Sequence, residues 1–412
     1  MADTEVTEVR RLIDGLRRDR RQHPYAGRRE YSDRARQVAA AIEVMIIDDR
    51  AGAAVPLARR AVERVTAALL YMDDSSGIVG GDLRDLMELY ARACQAAPPD
   101  RLRLAAWLVD LHVDGPGWPR IELYAFAGAL GKRGLAEVAR LEAERGSADP
   151  EHKVSWQLKD LREQLAGVSG DVDAHVAVLA EDLRGAHRYE LIAGVLRAAG
   201  RGTDAERWAR EGLAAYPFSN RSDELRDQLA GLLLDADRGD DAVAVRWEVF
   251  EQRTLHHDYS RLRDTAVMSG QWPALRERAL DLMRARALAD PYRVTYLITV
   301  LIGEDLPGEA WAAAMASGGV LHEFQWLQLI ELRETGHPAD VIAPYQDLIE
   351  RKLSDAGDKY RYPRAVKLIK RLQDACHRAG DAAGFAFYLD DLRVRHKRKT
   401  AFIAALDKAN LA

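Results

Sequence analysis

The chain has 412 residues, 48% apolar and 30% charged, with 14 prolines and a formal net charge of −5. Such a composition excludes a disordered chain, and the lack of a proline- or serine-rich linker favours one continuous body over separate beads. The two cysteines, Cys94 and Cys376, exclude a disulfide framework and a structural zinc site, which takes four Cys/His ligands.

The first segment, 1–30, is basic. From Arg10 to Arg36, ten arginines stand against Asp14, Asp19, Glu30 and Asp33. Its RRDRRQHPYAGRR string (Arg17 to Arg29) lies before the regular helices and interleaves arginine with Pro24 and Tyr25, a footprint that suits nucleic acid. Arg17, Arg18, Arg20, Arg21, Arg28 and Arg29 are its candidate polyanion-binding residues. No apolar core marks a signal peptide. The most apolar stretch, VAAAIEVMII, is short and carries Glu43, so no membrane span is expected. A cytoplasmic location fits.

An N-terminal helical region follows over 31–150. YSDRARQVAAAIEVMIID, AAVPLARRAVERVTAALLYM, DLRDLMELYARACQAA and DRLRLAAWLVDLHV carry a helical period, and no segment alternates as a strand does. Both cysteines sit on the periodic side of such patterns, where a free thiol packs as a small hydrophobe. DDSSG (Asp73 to Gly77) falls between two helices, where Asp and Ser act as turn and cap residues. DGPGWP (Asp114 to Pro119) breaks the pattern. A phosphate loop wants a strand before it and free N–H groups after it, but a helix precedes this loop and Pro116 and Pro119 remove donors. It is read as a turn. GALGKRG (Gly128 to Gly134) lacks the first glycine and the Ser/Thr of a Walker loop and reads as a helix end. Two shorter helices precede Gly146, and a soft boundary is expected in GSADPEH (Gly146 to His152).

From 151 to 412 the sequence reads as helix pairs. Tyr189, Ile192, Ala193, Leu196 and Ala199 recur three or four apart, Gly200 stops that helix, and Pro217 ends the next. Ala205, Trp208, Ala209 and Gly212 give the second helix small residues beside one aromatic, which permits close helix approach. This unit, His187 to Ser219, resembles a tetratricopeptide repeat with its aromatic displaced by one position. Five divergent units follow, with Gly200, Gly239, Gly270, Gly336 and Gly380 as separators. HHD (His256 to Asp258) places adjacent histidines on diverging sides, against the three- or four-residue spacing a helical metal pair needs. The last segment runs RVRHKRKTAFIAALDKAN, with six basic residues against Asp407 from Arg393 to Lys408. Wound as one helix from Leu392, it puts His396, Lys399, Ile403 and Leu406 near the Leu392 face and Arg393, Lys397 and Arg398 outside. Capping of the terminal repeat accounts for much of the pattern. The alternative is phosphate binding by Arg393, Arg395, Lys397 and Arg398.

VPLARRAVERV (Val55 to Val65), DDSSG, LYARAC (Leu89 to Cys94), DGPGWP and RHKRKTAFIAALDKANL together resemble the helical region that follows the zinc finger in actinobacterial SWIM zinc-finger proteins. The resemblance covers about Val55 to Leu411. It implies association with zinc-finger proteins or Swi/Snf-type helicases. The finger's CxC and CxH pairs are absent, so binding through that finger is not implied here. Arginine over lysine with abundant alanine suits a GC-rich actinobacterial genome.

The expectation is an all-α chain: an α-solenoid of tetratricopeptide-like helix pairs with an N-terminal helical region. Its expected role is a non-catalytic scaffold that holds a partner protein or peptide in its groove, with no cofactor and no metal. The competing role is a nucleic-acid-associated module using the two basic ends.

Overall fold

Every regular element among the described residues is helical, as the period of the sequence requires. The structure, a computed structural model, describes residues 2–17, 27–148, 155–317 and 320–411. It divides into two compact units, Met1–Gln228 and Leu229–Ala412. Among the described residues, no helix is long and apolar enough to cross a membrane.

In the first unit α1 (Ala2–Asp14) precedes the four helices expected from the pattern, α2 (Arg28–Ile47), α3 (Ala51–Leu69), α4 (Ile78–Ala96) and α5 (Arg101–Val113). The basic segment therefore does not lie before the regular helices. Val9, Ile13 and Leu16 recur at helical spacing and are buried, although arginines surround them. The core is densest where α3 meets α4. Ala54, Ala58, Ala61, Val62 and Val65 make one fully buried face of α3, and Val79, Leu86 and Cys94 one of α4. Alanine on the α3 face lets the helix axes come close. DDSSG caps α4 as its residues suggest. Asp73 Oδ1 accepts from Ser75 N at 3.0 Å, and the Asp74 carboxylate accepts from Val79 N at 3.2 Å and Gly80 N at 2.7 Å.

Beyond the DGPGWP turn come α6 (Leu123–Ala148), α7 (Ser155–Ser169) and α8 (Val172–Ala180). The two short helices expected before Gly146 are the arms of α6, which meet at Gly131 with φ 56° and ψ −175°. Of the boundary stretch 146–152, residues 149–152 lie outside the described residues. The pair α9 (Ala186–Ala198) and α10 (Gly202–Ala215) packs as its small residues imply. Tyr189, Ile192, Ala193 and Leu196 face Ala205, Ala209 and Gly212. Helix α11 (Ser222–Asp235) carries the chain across the division.

The second unit holds α12 (Gly239–Arg253), α13 (His256–Met268), α14 (Trp272–Ala289), α15 (Val294–Gly303), α16 (Pro307–Ala316), α17 (Glu323–Arg333), α18 (Ile342–Ser354), α19 (Arg361–Arg378), α20 (Ala382–Arg395) and α21 (Thr400–Lys408). Each packs on its neighbour in sequence from α12 through α20, and α21 packs on α19. One helix end recurs through both units: a left-handed residue, with the N–H after it reaching back to the carbonyl five residues earlier. Gly200, Asp237, Gly270, Asp305 and Gly380 take this conformation. The accompanying bonds are Arg201 N to Leu196 O, Arg238 N to Leu233 O, Gln271 N to Ala266 O, Leu306 N to Leu301 O and Asp381 N to Cys376 O. They satisfy carbonyls that a helix terminus otherwise leaves open.

Two expected separators differ. Gly239 opens α12 rather than ending a helix, and Asp237 makes the turn. Gly239 serves packing: a Cβ there would lie 2.7 Å from Ser269 Cβ. Gly336 follows α17 without a left-handed conformation, and among the described residues Asp305 supplies the nearest preceding such turn. The C-terminal stretch also differs from one continuous helix. Helix α20 ends at Arg395, and α21 restarts at Thr400 after a turn closed by Lys399 N to His396 O at 2.8 Å. A straight helix that buries Leu392 would point Phe402 well away from it, since each residue advances about 100°. The turn lets Leu392, Phe402 and Leu406 all be fully buried. It is pinned by His396 Nε2 to Glu350 Oε2 at 2.9 Å and Lys399 Nζ to Leu353 O at 2.8 Å.

Candidate functional site

The ten cations read as polyanion-binding do not behave alike. Arg18, Arg20 and Arg21 lie outside the described residues. Arg17 and Arg29 are exposed. Arg28 donates to Asp73 O at 3.1 Å and so helps fix the loop before α4. Arg393 turns back rather than pointing away; it donates to Asp407 Oδ1 and to Leu411 O, both at 2.8 Å. Arg395 is held by Asp391 at 2.6 Å and by Glu350. Lys397 and Arg398 are exposed on the α20–α21 turn, and their side chains make no hydrogen bond or ion pair among the described residues. Within 393–398, therefore, two of the four cations are neutralised by acids of the same unit, which weakens the field a polyanion would meet.

The reactive-looking groups are likewise committed to structure. Both cysteines are buried, and burial pushes the Cys94 thiol up to about 11, far from the thiolate a nucleophile needs. His256 stacks on Tyr296 with ring centroids 5.8 Å apart, while His257 Nε2 turns to Asp258 Oδ1 at 3.4 Å.

A groove is found instead in the first unit, where two strings singled out in the sequence converge. The α3–α4 loop brings Asp74 and Gly77, and the α5–α6 loop brings Gly117, Trp118 and Pro119. Together they border a hollow of about 540 Å³. Its floor is Leu69, Met72 and Leu83, all buried. Trp118 is 43% exposed at its wall. A second hollow of about 280 Å³ shares Gly117, Pro119 and Arg120 and is walled by Trp156 and His112. A third, of about 310 Å³, shares Arg120 and Asp160 and is lined by Val168, Leu179, Leu191 and Val195. The three adjoin at Arg120, so the loop after α5 forms the ridge along which they run.

The ridge is held by one hub. Asp160, on α7, accepts from Arg120 at 3.1 Å and Gln164 Nε2 at 2.7 Å, and lies 3.2 Å from His112 Nε2. Gln164 in turn donates to Ile121 O at 2.9 Å and accepts from Leu123 N at 2.7 Å, which ties the end of the loop to α7. His112 Nε2 also lies 3.1 Å from Gln157 O. With acceptors on both sides, that nitrogen carries the proton, so the His112–Asp160 pair fastens α5 to α7. Among the described residues walling the second hollow, none is a serine, threonine or cysteine.

Burial pushes the Asp160 carboxyl up, but hydrogen bonds from His112 and Gln164 and the Arg120 charge outweigh it and hold the group below the ordinary carboxylate range. A carboxylate with a depressed folded pKa adds stability above its unfolded value near pH 3.9, and that stability is lost as pH falls through the folded pKa. Asp160→Asn should therefore cost about 1–2 kcal/mol at pH 7 and less at pH 3, read as the urea midpoint of helical circular dichroism. An equal loss at both pH values would refute the charged hub.

Sequence reasoning marked both loops of this groove but missed Arg84, His112, Arg120, Trp156 and Asp160. His112 and Asp160 are brought together only by the return of α7 onto α5, and local spacing carries no signal of that. The exposed tryptophan in a glycine–proline loop was the one available clue.

A second hollow-bearing region, of about 710 Å³, lies in the C-terminal unit and is bordered by Asp235, Asp237, Asp240 and Asp241. Asp240 and Asp241 stand in the first turn of α12, where acids suit the helix dipole, and Arg238 pairs with Asp241. Helix-end chemistry explains it.

A family model described as a family of unknown function matches residues 3–264, which include the whole groove. No curated protein matches the chain.

Proposed function

This chain belongs to DUF6880, a family of unknown function, and we propose that it is a non-catalytic helical-repeat scaffold that holds a partner protein or peptide in the groove around Arg120. The observation that carries the reading is the run of three adjoining hollows with Trp118, Trp156 and Tyr124 exposed along it, at 43%, 58% and 69%. Monomeric surfaces expose few clustered aromatics, and such clusters suit recognition. The committed state of both cysteines and of the His112–Asp160 pair favours binding over chemistry. Helices that each pack on the next support a tetratricopeptide-like solenoid in the second unit. A cytoplasmic location goes with this reading. The resemblance to the helical region of SWIM zinc-finger proteins makes a zinc-finger protein or a helicase the first partner to seek.

The test is affinity capture of the full chain from native lysate, with and without nuclease, beside a Trp118→Ala variant. A stoichiometric partner that survives nuclease and is lost in the variant supports the reading. Its absence under several conditions overturns it. Nuclease-sensitive capture, abolished by Lys397→Glu with Arg398→Glu, would replace it with the nucleic-acid module, which the two unpaired cations of the α20–α21 turn favour. Such binding weakens steeply with salt.

A further inference from the structure

We infer that the occupant of this groove is an extended peptide with two apolar side chains as anchors and an acidic residue beside the first. The inference rests on the binding role just proposed and specifies the chemistry of its ligand.

The first hollow has an apolar floor of Leu69, Met72 and Leu83 and an aromatic wall, so it takes a bulky apolar side chain. Its charged neighbours are Arg84, Arg120 and Asp74. Asp74 is spent, because its two oxygens accept from Val79 N and Gly80 N. Arg120 is spent on Asp160 and on Glu122, at 3.1 and 3.7 Å. Arg84 is not. It is exposed, and its side chain makes no hydrogen bond or ion pair among the described residues. The rim of the first hollow thus holds one guanidinium with all its donors open, which pairs best with a carboxylate.

The third hollow offers a second apolar surface, from Val168, Leu179, Leu191 and Val195, but its charge has the opposite sign. Glu122, Asp160 and Glu163 border it against Arg120 alone; Glu163 is paired bidentately with Arg188 at 2.8 and 3.0 Å, and Arg120 is shared between Asp160 and Glu122, so the acids outnumber the cation on this lining. A uniformly anionic ligand such as a nucleic-acid strand would meet a favourable charge at one end and an unfavourable one at the other. A single small carboxylate would fill one hollow and leave the rest open. A peptide satisfies both ends, since apolar anchors and one acid can be spaced along a strand.

Gly77 and Gly117 line the first hollow. A Cβ added at Gly77 or Gly117 would meet nothing within 4 Å. Both adopt positive φ, 69° and 88°, so side chains are disfavoured there on backbone grounds.

The experiment is selection from a phage-displayed library of random peptides on the purified full chain, followed by fluorescence anisotropy of the enriched peptides. Wild type, Arg84→Glu and Trp118→Ala are compared, and unchanged circular-dichroism melts confirm that the variants fold. Expected are peptides pairing an aromatic or large aliphatic residue with Asp or Glu, and a Kd raised at least about tenfold by either substitution. Arg84→Glu should also shift selection toward Lys or Arg at the acidic position. Enrichment of basic or uncharged peptides, or an Arg84→Glu variant that binds as wild type does, overturns the inference. If no peptide is enriched but lysate capture yields a Trp118-dependent protein, the peptide inference fails and the groove's binding role stands. If neither yields a Trp118-dependent ligand, the binding role itself fails.

Discussion

A valine at Gly212 should destabilise the first unit by about 3 kcal/mol, at the upper end of what overpacking usually costs. The cause is the approach of α10 to α9. A Cβ at Gly212 would sit 2.5 Å from Tyr189 Cβ, 2.6 Å from Tyr189 Cγ and 2.7 Å from Leu225 Cδ2. Leu225 can swing its methyl aside. Tyr189 cannot, because its clashing atoms lie at the root of the side chain and its ring packs against Trp208 and Tyr216 at centroid distances of 5.9 and 6.1 Å. Relief therefore requires α9 and α10 to separate, which opens the face of Ala193, Ala205 and Ala209. In a unit of this size the loss corresponds to a drop in Tm of roughly 10 °C, readable by calorimetry. Gly202→Ala is the control. It stands in the first turn of the same helix with nothing within 4 Å of an added Cβ, so it should leave Tm unchanged or raise it slightly. Equal behaviour of the two variants would show that the helices do not meet at Gly212.

That contact shows which parts of the molecule its sequence could reveal. Small residues at Ala205, Ala209 and Gly212 mark close packing because only they permit it, and period alone finds α2 to α5. The DDSSG cap was legible for the same local reason: aspartate oxygens reach N–H groups five and six residues on. Legibility fails where the deciding partner is distant or where several residues can do one job. A left-handed helix end invites glycine, yet aspartate makes the turn at Asp237 and Asp305, with its φ at 58° and 59°. Reading only glycines as punctuation therefore moved one separator two residues onto Gly239. The chain break at His396 depends on Glu350, some forty-six residues upstream. Nothing within the string tells Phe402 that it will be needed in the core more than Lys399 is. The groove is the extreme case. Its two loops stood out as turns, but Arg84 looks like any exposed helical arginine until the fold shows that its neighbours have all found partners.

The HHD string repays closer attention for a similar reason, because its acid, weighed in the sequence beside two histidines, is buried. Asp258 has a side chain with 0% exposure and is gripped by Arg253, Nε to Oδ2 at 2.9 Å and Nη2 to Oδ1. Arg253 ends α12 and Asp258 stands in the first turn of α13, so the pair clamps the connection between the two helices. The Arg253 carbonyl also accepts from Arg293 at 2.7 Å, which joins the clamp to the residue just ahead of α15. Removing the cation leaves an anion sealed from water without its guanidinium, and breaking a buried pair in this way costs about 3–5 kcal/mol. Arg253→Met, which keeps much of the stem, should lose that amount in urea unfolding of the full chain. Removing both charges should cost far less, because the desolvation of the carboxylate disappears with the carboxylate. The double variant Arg253→Met with Asp258→Leu is thus expected to regain most of the stability lost by the single one, a coupling of at least about 2 kcal/mol. Additive losses in the cycle would mean that Arg253 acts through its backbone tie and its packing alone, and that the α12–α13 clamp is not electrostatic.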